Sequence, residues 1–179
     1  MSAWKIRKEA SIYFVTFSIT GWYPVFTDIL YFDIIIESLR YCRDKKGLHI
    51  YAYVLMLNHV HLIVSVKEGP GTLSDVIRDM KRHTSKAISV QLKRDGKVLP
   101  LRIFSQAADK SNQYQVWQQG FHPKGIVSEK FCLQKLNYIH DNPVRKGYVR
   151  RPEHWYYSSA GNYAGLTNLA LEIESIFDF

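Results

Sequence analysis

The sequence predicts an α+β fold in which an antiparallel sheet carries helices on one face. Segments rich in β-branched and aromatic residues alternate with segments whose apolar residues recur at helical spacing. Two of the strand-like segments are separated by only two residues, and so short a connection requires antiparallel pairing. The chain has 179 residues, 46% of them hydrophobic, which is enough for one domain with a sizeable core.

The first half of the chain predicts a strand, a helix and a close pair of strands. Residues 11–20 alternate in the manner of a strand. Asp28 is a suitable N-cap for a helix that runs to about Lys46 and ends at Gly47. Residues 49–56 and 59–67 form the strand pair.

The second half predicts two helices around an irregular segment. The first begins at Thr72 or Ser74 and runs to about residue 92, and residues 94–114 are polar and irregular. Residues 115–121 predict a fourth strand. Ser128 caps a helix that ends at about residue 141, because Pro143 disfavours helical geometry before it. The order is that of the split βαβ, ferredoxin-like fold, followed by a C-terminal extension over about 151–179.

Composition favours an anionic partner. Lysine and arginine number 24 against 16 acidic residues, a net charge of +8, which is typical of nucleic-acid-binding proteins but also of merely basic ones. Cys42 and Cys132 have no zinc-site or disulfide spacing, so we expect reduced thiols and a cytoplasmic protein. No apolar run reaches the roughly 18 residues of a membrane span, so we expect no membrane partner.

Two histidines lie one residue apart in the third predicted strand. Strand side chains alternate between faces, so His59 and His61 point the same way while Val60 and Leu62 point into the core. Two imidazoles on one face can share a metal ion, although a hydrogen-bonded pair without metal is the more frequent use of such a pattern. Imidazoles with an amide oxygen suit Mn²⁺ or Mg²⁺.

The last predicted helix supplies a candidate nucleophile. Lys135, Tyr138 and Asn142 follow helical spacing and share one face, next to an apolar face with Leu136 and Ile139. Tyrosine becomes a useful nucleophile when the electrophile is activated, and a divalent cation held by the histidines could activate a phosphodiester. Asn142 could supply a third ligand. A lone tyrosine on a helix is otherwise a core or surface residue.

A basic ridge follows one face of the helix that begins near residue 72. Its cations have helical spacing, and no acidic residue occupies the same stripe. The spacing indicates either phosphate binding or a solvated outer face. The ridge consists of Arg78, Lys81, Arg82 and Lys86.

Four motifs in this order resemble the HUH signature of single-tyrosine transposases and, more narrowly, the REP-associated tyrosine transposase branch. They are YVLMLNHVHLIV at 53–64, WQQGFH at 117–122, YIHDNPVRKG at 138–147 and PEHWYYSS at 152–159. The similarity spans about 11–163. One departure is Leu57, where the family often has proline.

The resemblance implies a metal-dependent enzyme that cuts and rejoins single-stranded DNA at hairpins. It makes Tyr138 the nucleophile that forms a 5′-phosphotyrosine and leaves a free 3′-hydroxyl, and it makes His59, His61 and, more weakly, Asn142 the ligands of Mg²⁺ or Mn²⁺. No nucleotide cofactor is needed. The implied protein is one domain over 1–179 with its core at about 11–150, a monomer or homodimer, cytoplasmic and nucleoid-associated in a prokaryote.

The resemblance also implies where single-stranded or hairpin DNA is contacted. Besides the basic ridge, we expect contacts from cations around the nucleophile helix and from aromatic residues of the extension, although Trp155 could equally be a packing residue. These residues are Lys135, Arg145, Lys146, Arg150, Arg151, Trp155 and Tyr156.

Two other functions use the same domain type. A domesticated, non-catalytic regulator would bind hairpin DNA and is expected to have a broken active site, whereas His59, His61 and Tyr138 are all present. A rolling-circle replication initiator or relaxase-type nickase is expected to carry Tyr-x-x-Lys or paired tyrosines, and the YIHD sequence at 138–141 has neither.

Overall fold

The protein forms a four-stranded antiparallel sheet, as seen in a computed structural model that describes residues 12–67, 71–109, 113–120 and 122–177. The strands are β1 Tyr13–Ser18, β2 Leu48–Leu55, β3 His59–Val66 and β4 Lys124–Gly125. They lie in the order β2-β3-β1-β4, which is the predicted ferredoxin-like order, with β3 in the interior.

Five α-helices and two 3₁₀ turns accompany the sheet within the described residues. Asp28, Thr72 and Ser128 cap the three long helices as predicted, each accepting a hydrogen bond from a backbone N–H of the first turn. The helices are α1 Ile29–Lys46, α2 Leu73–Arg94, α3 Val98–Ala107, α4 Glu129–Arg145 and α5 Ala160–Tyr163, and the turns are Thr20–Trp22 and Pro152–His154.

Helices cover both faces of the sheet, so the expectation of helices on one face only is wrong. Helices α1 and α2 pack on the face that carries Val60 and Leu62. Helix α4 packs on the other face through a row of residues that includes Leu136 and Ile139. The second face also carries apolar side chains such as Ile63, which would be exposed to water without α4.

Helix α3 occupies part of the segment that was expected to be irregular. The turn signals around it are real, but Val98–Ala107 contains enough apolar residues to form a short helix. Pro100 is tolerated because it stands in the first turn, where its missing N–H has no partner to lose. Phe104 is fully buried and anchors the helix to the core.

The fourth strand lies later in the chain than predicted. Residues 116–118 run beside the end of β1, where Thr20 donates to the carbonyl of Val116 and Gln118 donates to that of Ser18. Within the described part of this segment a single residue, Trp117, forms a bridge, and regular pairing returns at β4 after Gly120, whose φ is +93°. Residues 11, 110–112 and 121, which belong to the predicted segments, lie outside the described residues.

Helix α4 passes through Pro143 instead of ending before it. The proline stands in the last turn, so only one intrahelical hydrogen bond is lost, and Asn142 keeps helical geometry. The end of the helix is closed by Lys146, which donates to the carbonyl of Asn142, and by Tyr148, which donates to that of Pro143. Asn142 therefore stays on the same helix as Tyr138.

No helix among the described residues is long and apolar enough to cross a membrane.

Replacing Phe104 with alanine should destabilise the protein by about 3–5 kcal/mol, because the ring is fully buried and leaves a cavity. The matched control is Leu99→Ala on the same helix, where the side chain is 60% exposed and the change should stay within about 0.5 kcal/mol. Urea unfolding of both variants measures the difference. Equal effects would contradict the packing of α3 described above.

Candidate active site

The two histidines of β3 lie side by side on the face that α4 covers. Their ring centroids are 4.8 Å apart. In the register of β1 with β3, His59 stands opposite Ser18 and His61 opposite Thr16. The predicted alternation is confirmed, because Val60 on the same strand is buried in the core under α1 and α2.

His61 has one nitrogen engaged and one free. Its Nδ1 is 2.7 Å from Oγ1 of Thr16, across the pairing of β1 with β3. Its Nε2 is buried and has no hydrogen-bond partner in the described part of the chain. A buried polar atom without a partner costs about 1–3 kcal/mol. A ligand bound to this nitrogen would remove the cost.

His59 is also held through its Nδ1, in this case by the side chain of Asn58. Its Nδ1 is 2.7 Å from Oδ1 of Asn58, while Nδ2 of Asn58 donates to the carbonyl of Trp22 at 2.9 Å. The second bond orients the amide so that Oδ1 must accept, and Nδ1 of His59 therefore carries the proton. Its Nε2 is left with a lone pair. Such support of the second nitrogen is typical of metal-binding histidines.

Both histidines are neutral at pH 7. Burial, reinforced by the charge of Lys146, lowers the pKa of His59 to about 4. Burial, with smaller contributions from His59 and Lys135, lowers the pKa of His61 to about 3. Neutral imidazole is the form that binds a metal ion.

Tyr138 on α4 lies against this pair. Its ring centroid is 5.1 Å from that of His61 and 6.1 Å from that of Phe14, both in edge-on geometry. The side chain is 36% exposed, whereas its neighbour Ile139 is fully buried. Helix α4 thus anchors itself through one face and presents the tyrosine at the edge of the site from the next, as predicted.

Two cations flank the ring of Tyr138. Nζ of Lys135 lies 5.6 Å from the ring centroid, and the guanidinium carbon of Arg145 lies 5.8 Å from it. Lys135 also stands over Phe14 at 4.9 Å. Two positive charges this close to the hydroxyl-bearing ring would favour the approach of a phosphate.

Asn142 stands one turn after Tyr138 and is buried, with 6% of its surface exposed. Its side chain makes no hydrogen bond to another described residue, so the amide oxygen is available. In the described ranges, no three His, Cys, Asp or Glu side chains come together as a metal site. A third protein ligand beside His59 and His61 would therefore come from another residue type, and Asn142 is the predicted one.

The basic ridge on α2 is partly neutralised. Arg78 pairs with Asp75 at 2.7 Å, and Asp79 pairs with both Arg78 and Arg82. The two aspartates stand beside the ridge on α2, and their side chains reach its arginines. Lys86 is exposed and has no ion pair within the described residues.

Lys81 is engaged with the backbone. Its Nζ donates to the carbonyl of Gln118 at 2.9 Å and to that of Gly120 at 3.4 Å, and the side chain is half-buried. Lys81 thereby fixes the segment that follows Trp117. Between this segment and α2 lies an open groove of about 720 Å³, whose lining includes Arg82, Lys86 and Lys93.

The C-terminal extension divides into a packed and an exposed part. Nε1 of Trp155 donates to the carbonyl of Leu55, and the ring packs against the core, which favours a packing role. Tyr156 is 45% exposed. Arg150 and Arg151 are exposed, and Arg151 pairs with Glu153.

Sequence reasoning missed Thr16 and Asn58. The signal for Asn58 was its place directly before His59, where a connecting residue can reach back to the ring. Thr16 could be found only through the register of β1 with β3, which sets residues 45 positions apart against each other.

The chain resembles known transposases over most of its length. The family model described as "Transposase IS200 like" matches residues 12–142. A protein of Haemophilus influenzae, provisionally named a REP-associated tyrosine transposase, is 26% identical over 108 residues, which are 60% of this chain and 56% of that protein. The REP-associated tyrosine transposase of Escherichia coli is 24% identical over 117 residues, 65% of this chain and 56% of that protein. The matched part is thus little more than half of each relative's length.

A solved structure shares the fold. It is that of a REP-associated tyrosine transposase bound to a REP hairpin, with a TM-score of 0.63 and 20% sequence identity. The match covers 100% of this chain and 95% of the other. The α+β sheet with its helices is therefore the tyrosine transposase fold.

The buried histidines should make the protein less stable in acid. His140 on α4 has its pKa lowered to about 4 by burial, against 6.5 in the unfolded chain. The unfolded state therefore binds more protons below pH 6.5, and stability falls by about 1.4 kcal/mol per pH unit for each such histidine down to the folded pKa. His140→Gln, which can keep the bond to Ser159, should reduce this slope in urea unfolding between pH 7 and 5. An unchanged slope would contradict the assignment.

Proposed function

Because the chain belongs to the IS200-like transposase family, we propose that it is a metal-dependent strand transferase that cuts single-stranded DNA beside a hairpin through a covalent bond to Tyr138. One observation carries the proposal more than any other. Nε2 of His61 is a buried imidazole nitrogen with no hydrogen-bond partner among the described residues, and it lies in a ring that contacts the ring of Tyr138. A ligand-binding nitrogen and a potential nucleophile thus share one small site.

The donor set would hold a divalent metal ion. His59 and His61 would bind it through Nε2, since Nδ1 of each is already held by Asn58 or Thr16. Asn142 would add an amide oxygen, and Mg²⁺ or Mn²⁺ accepts such mixed ligands while keeping positions open for substrate. A bound ion supplies neutralisation of the charge on the scissile phosphate.

Tyr138 performs the bond exchange. Its Oη bonds to phosphorus as the bond from phosphorus to the 3′-oxygen breaks, and the tyrosine proton passes to solvent. The released strand takes up a proton and ends in a 3′-hydroxyl, while the other strand stays attached as a 5′-phosphotyrosine. Lys135 and Arg145, whose charged groups lie 5.6 Å and 5.8 Å from the ring centroid, would stabilise the negative charge of the phosphate.

The covalent intermediate makes the reaction reversible. Attack by another 3′-hydroxyl on the phosphotyrosine restores a phosphodiester and frees Tyr138. The number and kind of bonds are the same before and after, so no nucleotide cofactor has to supply energy. This property suits a transposase, which has to rejoin what it cuts.

One subunit contributes every residue of the proposed reaction. The rings of His61 and Tyr138 are in contact within a single chain. This contact supports the proposal that a monomer, the first of the two expected states, is competent for cleavage.

Hairpin DNA is the substrate that the relatives suggest, since the structural neighbour is bound to a REP hairpin. In this chain the groove beside α2 would follow the phosphate backbone through Lys86, Lys93 and Arg82. Tyr156 is exposed enough to stack on an unpaired base. Lys81 would act indirectly, because it holds the segment that forms the other wall of the groove.

Replacing Tyr138 with phenylalanine should abolish the covalent adduct and leave hairpin affinity nearly unchanged, because only the attacking oxygen is removed. The assay mixes protein and Mn²⁺ with oligonucleotides from hairpins that flank the gene and resolves a denaturant-resistant band. Tyr148→Phe is the matched control and should still form the band. Adduct in Tyr138→Phe would reassign the nucleophile, and binding without adduct in the wild type would indicate a non-catalytic regulator.

Replacing His61 with alanine should remove the response of the protein to metal. Mn²⁺ at 100 times its Kd should stabilise the wild type by about 2.7 kcal/mol and raise its Tm, because only the folded state presents the ligands. His61→Ala should lose this shift together with DNA cleavage, whereas the exposed His83→Ala should keep both. A full Tm shift in His61→Ala would place the metal elsewhere.

A further inference from the structure

Trp22 is an exposed tryptophan at the edge of the candidate active site. It ends the 3₁₀ turn Thr20–Trp22 that follows β1, and 57% of its surface is exposed. Its ring centroid is 6.2 Å from that of His59, in edge-on geometry. Trp22 belongs to neither core cluster. Packing therefore does not explain so large an apolar side chain here.

The backbone of Trp22 is held in a conformation that non-glycine residues rarely adopt. Its φ is +54°, and among the described residues no other non-glycine residue has a positive φ. Such a conformation costs of the order of 1–3 kcal/mol and persists only where the surroundings enforce it. Here the carbonyl of Trp22 accepts from Nδ2 of Asn58, and its N–H donates to the carbonyl of Ile19.

Asn58 couples this strained residue to the histidine beside it. The same amide that holds the carbonyl of Trp22 accepts the Nδ1 proton of His59. The backbone of Trp22 and the orientation of His59 are therefore both held by one side chain. An aromatic face placed with such constraint next to a proposed phosphate site indicates recognition of what is attached to the phosphate.

We propose that Trp22 is a stacking platform for an unpaired nucleobase adjacent to the scissile phosphate. The inference rests on the proposed function, since it takes His59 to lie at that phosphate. The indole is exposed and lies against His59, so a base attached to a phosphate bound at His59 would be within reach of its face. Stacking on an aromatic side chain is tolerant of base identity.

Two oligonucleotides with the same backbone isolate the contribution of the bases. Dodecathymidylate and an abasic dodecamer carry equal charge, so the ratio of their Kd values for the full chain measures stacking. Wild-type protein should bind dodecathymidylate more tightly than the abasic strand. In Trp22→Ala the ratio of the two Kd values should fall by about 5- to 150-fold, as expected for the loss of one stacked base. Affinity for the abasic strand should not change, because no phosphate contact is removed.

Three variants make the test specific. Trp22→Phe should keep most of the preference, because a smaller ring still stacks. Trp22→Gly should lose it and yet fold, because glycine relieves the strained φ. Tyr41→Ala removes an aromatic side chain of similar exposure (58%) on α1 and should leave the preference unchanged.

The outcomes separate this inference from the proposed function. An unchanged preference in folded Trp22→Gly, or an equal loss in Tyr41→Ala, would overturn the role of Trp22 even if the wild type forms its Tyr138 adduct normally. Failure of the wild type to prefer dodecathymidylate would also overturn it. Conversely, loss of preference in Trp22→Ala without any adduct in the wild type would support base stacking and leave the cutting reaction as the part that failed.

Discussion

The pairing of β3 with a strand on each side is the constraint on which the rest of the site depends. Because β1 and β2 fix its register, the alternation of side chains sends Val60 to one face and the two histidines to the other. A slip of one residue would turn the histidines toward α1 and α2 and turn Val60 toward α4. The register of the sheet therefore determines which face carries the two histidines.

That face has to serve as core and as reaction site at once. Ile63 and Phe14 require cover, and α4 supplies it with the same turns that carry Tyr138. Burial under α4 is also what keeps His61 uncharged. The packing of α4 therefore determines both the protonation state of His61 and the position of Tyr138. The hydrogen bond between Thr16 and His61 links this site to the centre of the sheet.

Sequence reasoning succeeded where local periodicity decides the structure. Alternation placed His59 and His61 correctly, helical spacing placed Tyr138 beside its buried neighbours, and the capping residues marked where helices begin. It failed where distant segments meet: the cover of the second face by α4, and the Thr16 bond. Helix α3 was missed because polar flanks masked a short apolar stretch, and Pro143 misled because its effect depends on its distance from the helix end.

The carboxylate of Asp79 is shared by Lys46, Arg78 and Arg82, and this sharing bears on how long α2 would retain a nucleic acid. Exposed ion pairs are individually weak, so an incoming phosphate can take over such a cation at little net gain. The displaced carboxylate stays in place and competes for the same cation throughout the encounter. If α2 binds DNA as proposed, this competition would shorten the time that a DNA strand stays bound to the helix and would favour repeated release over tight retention.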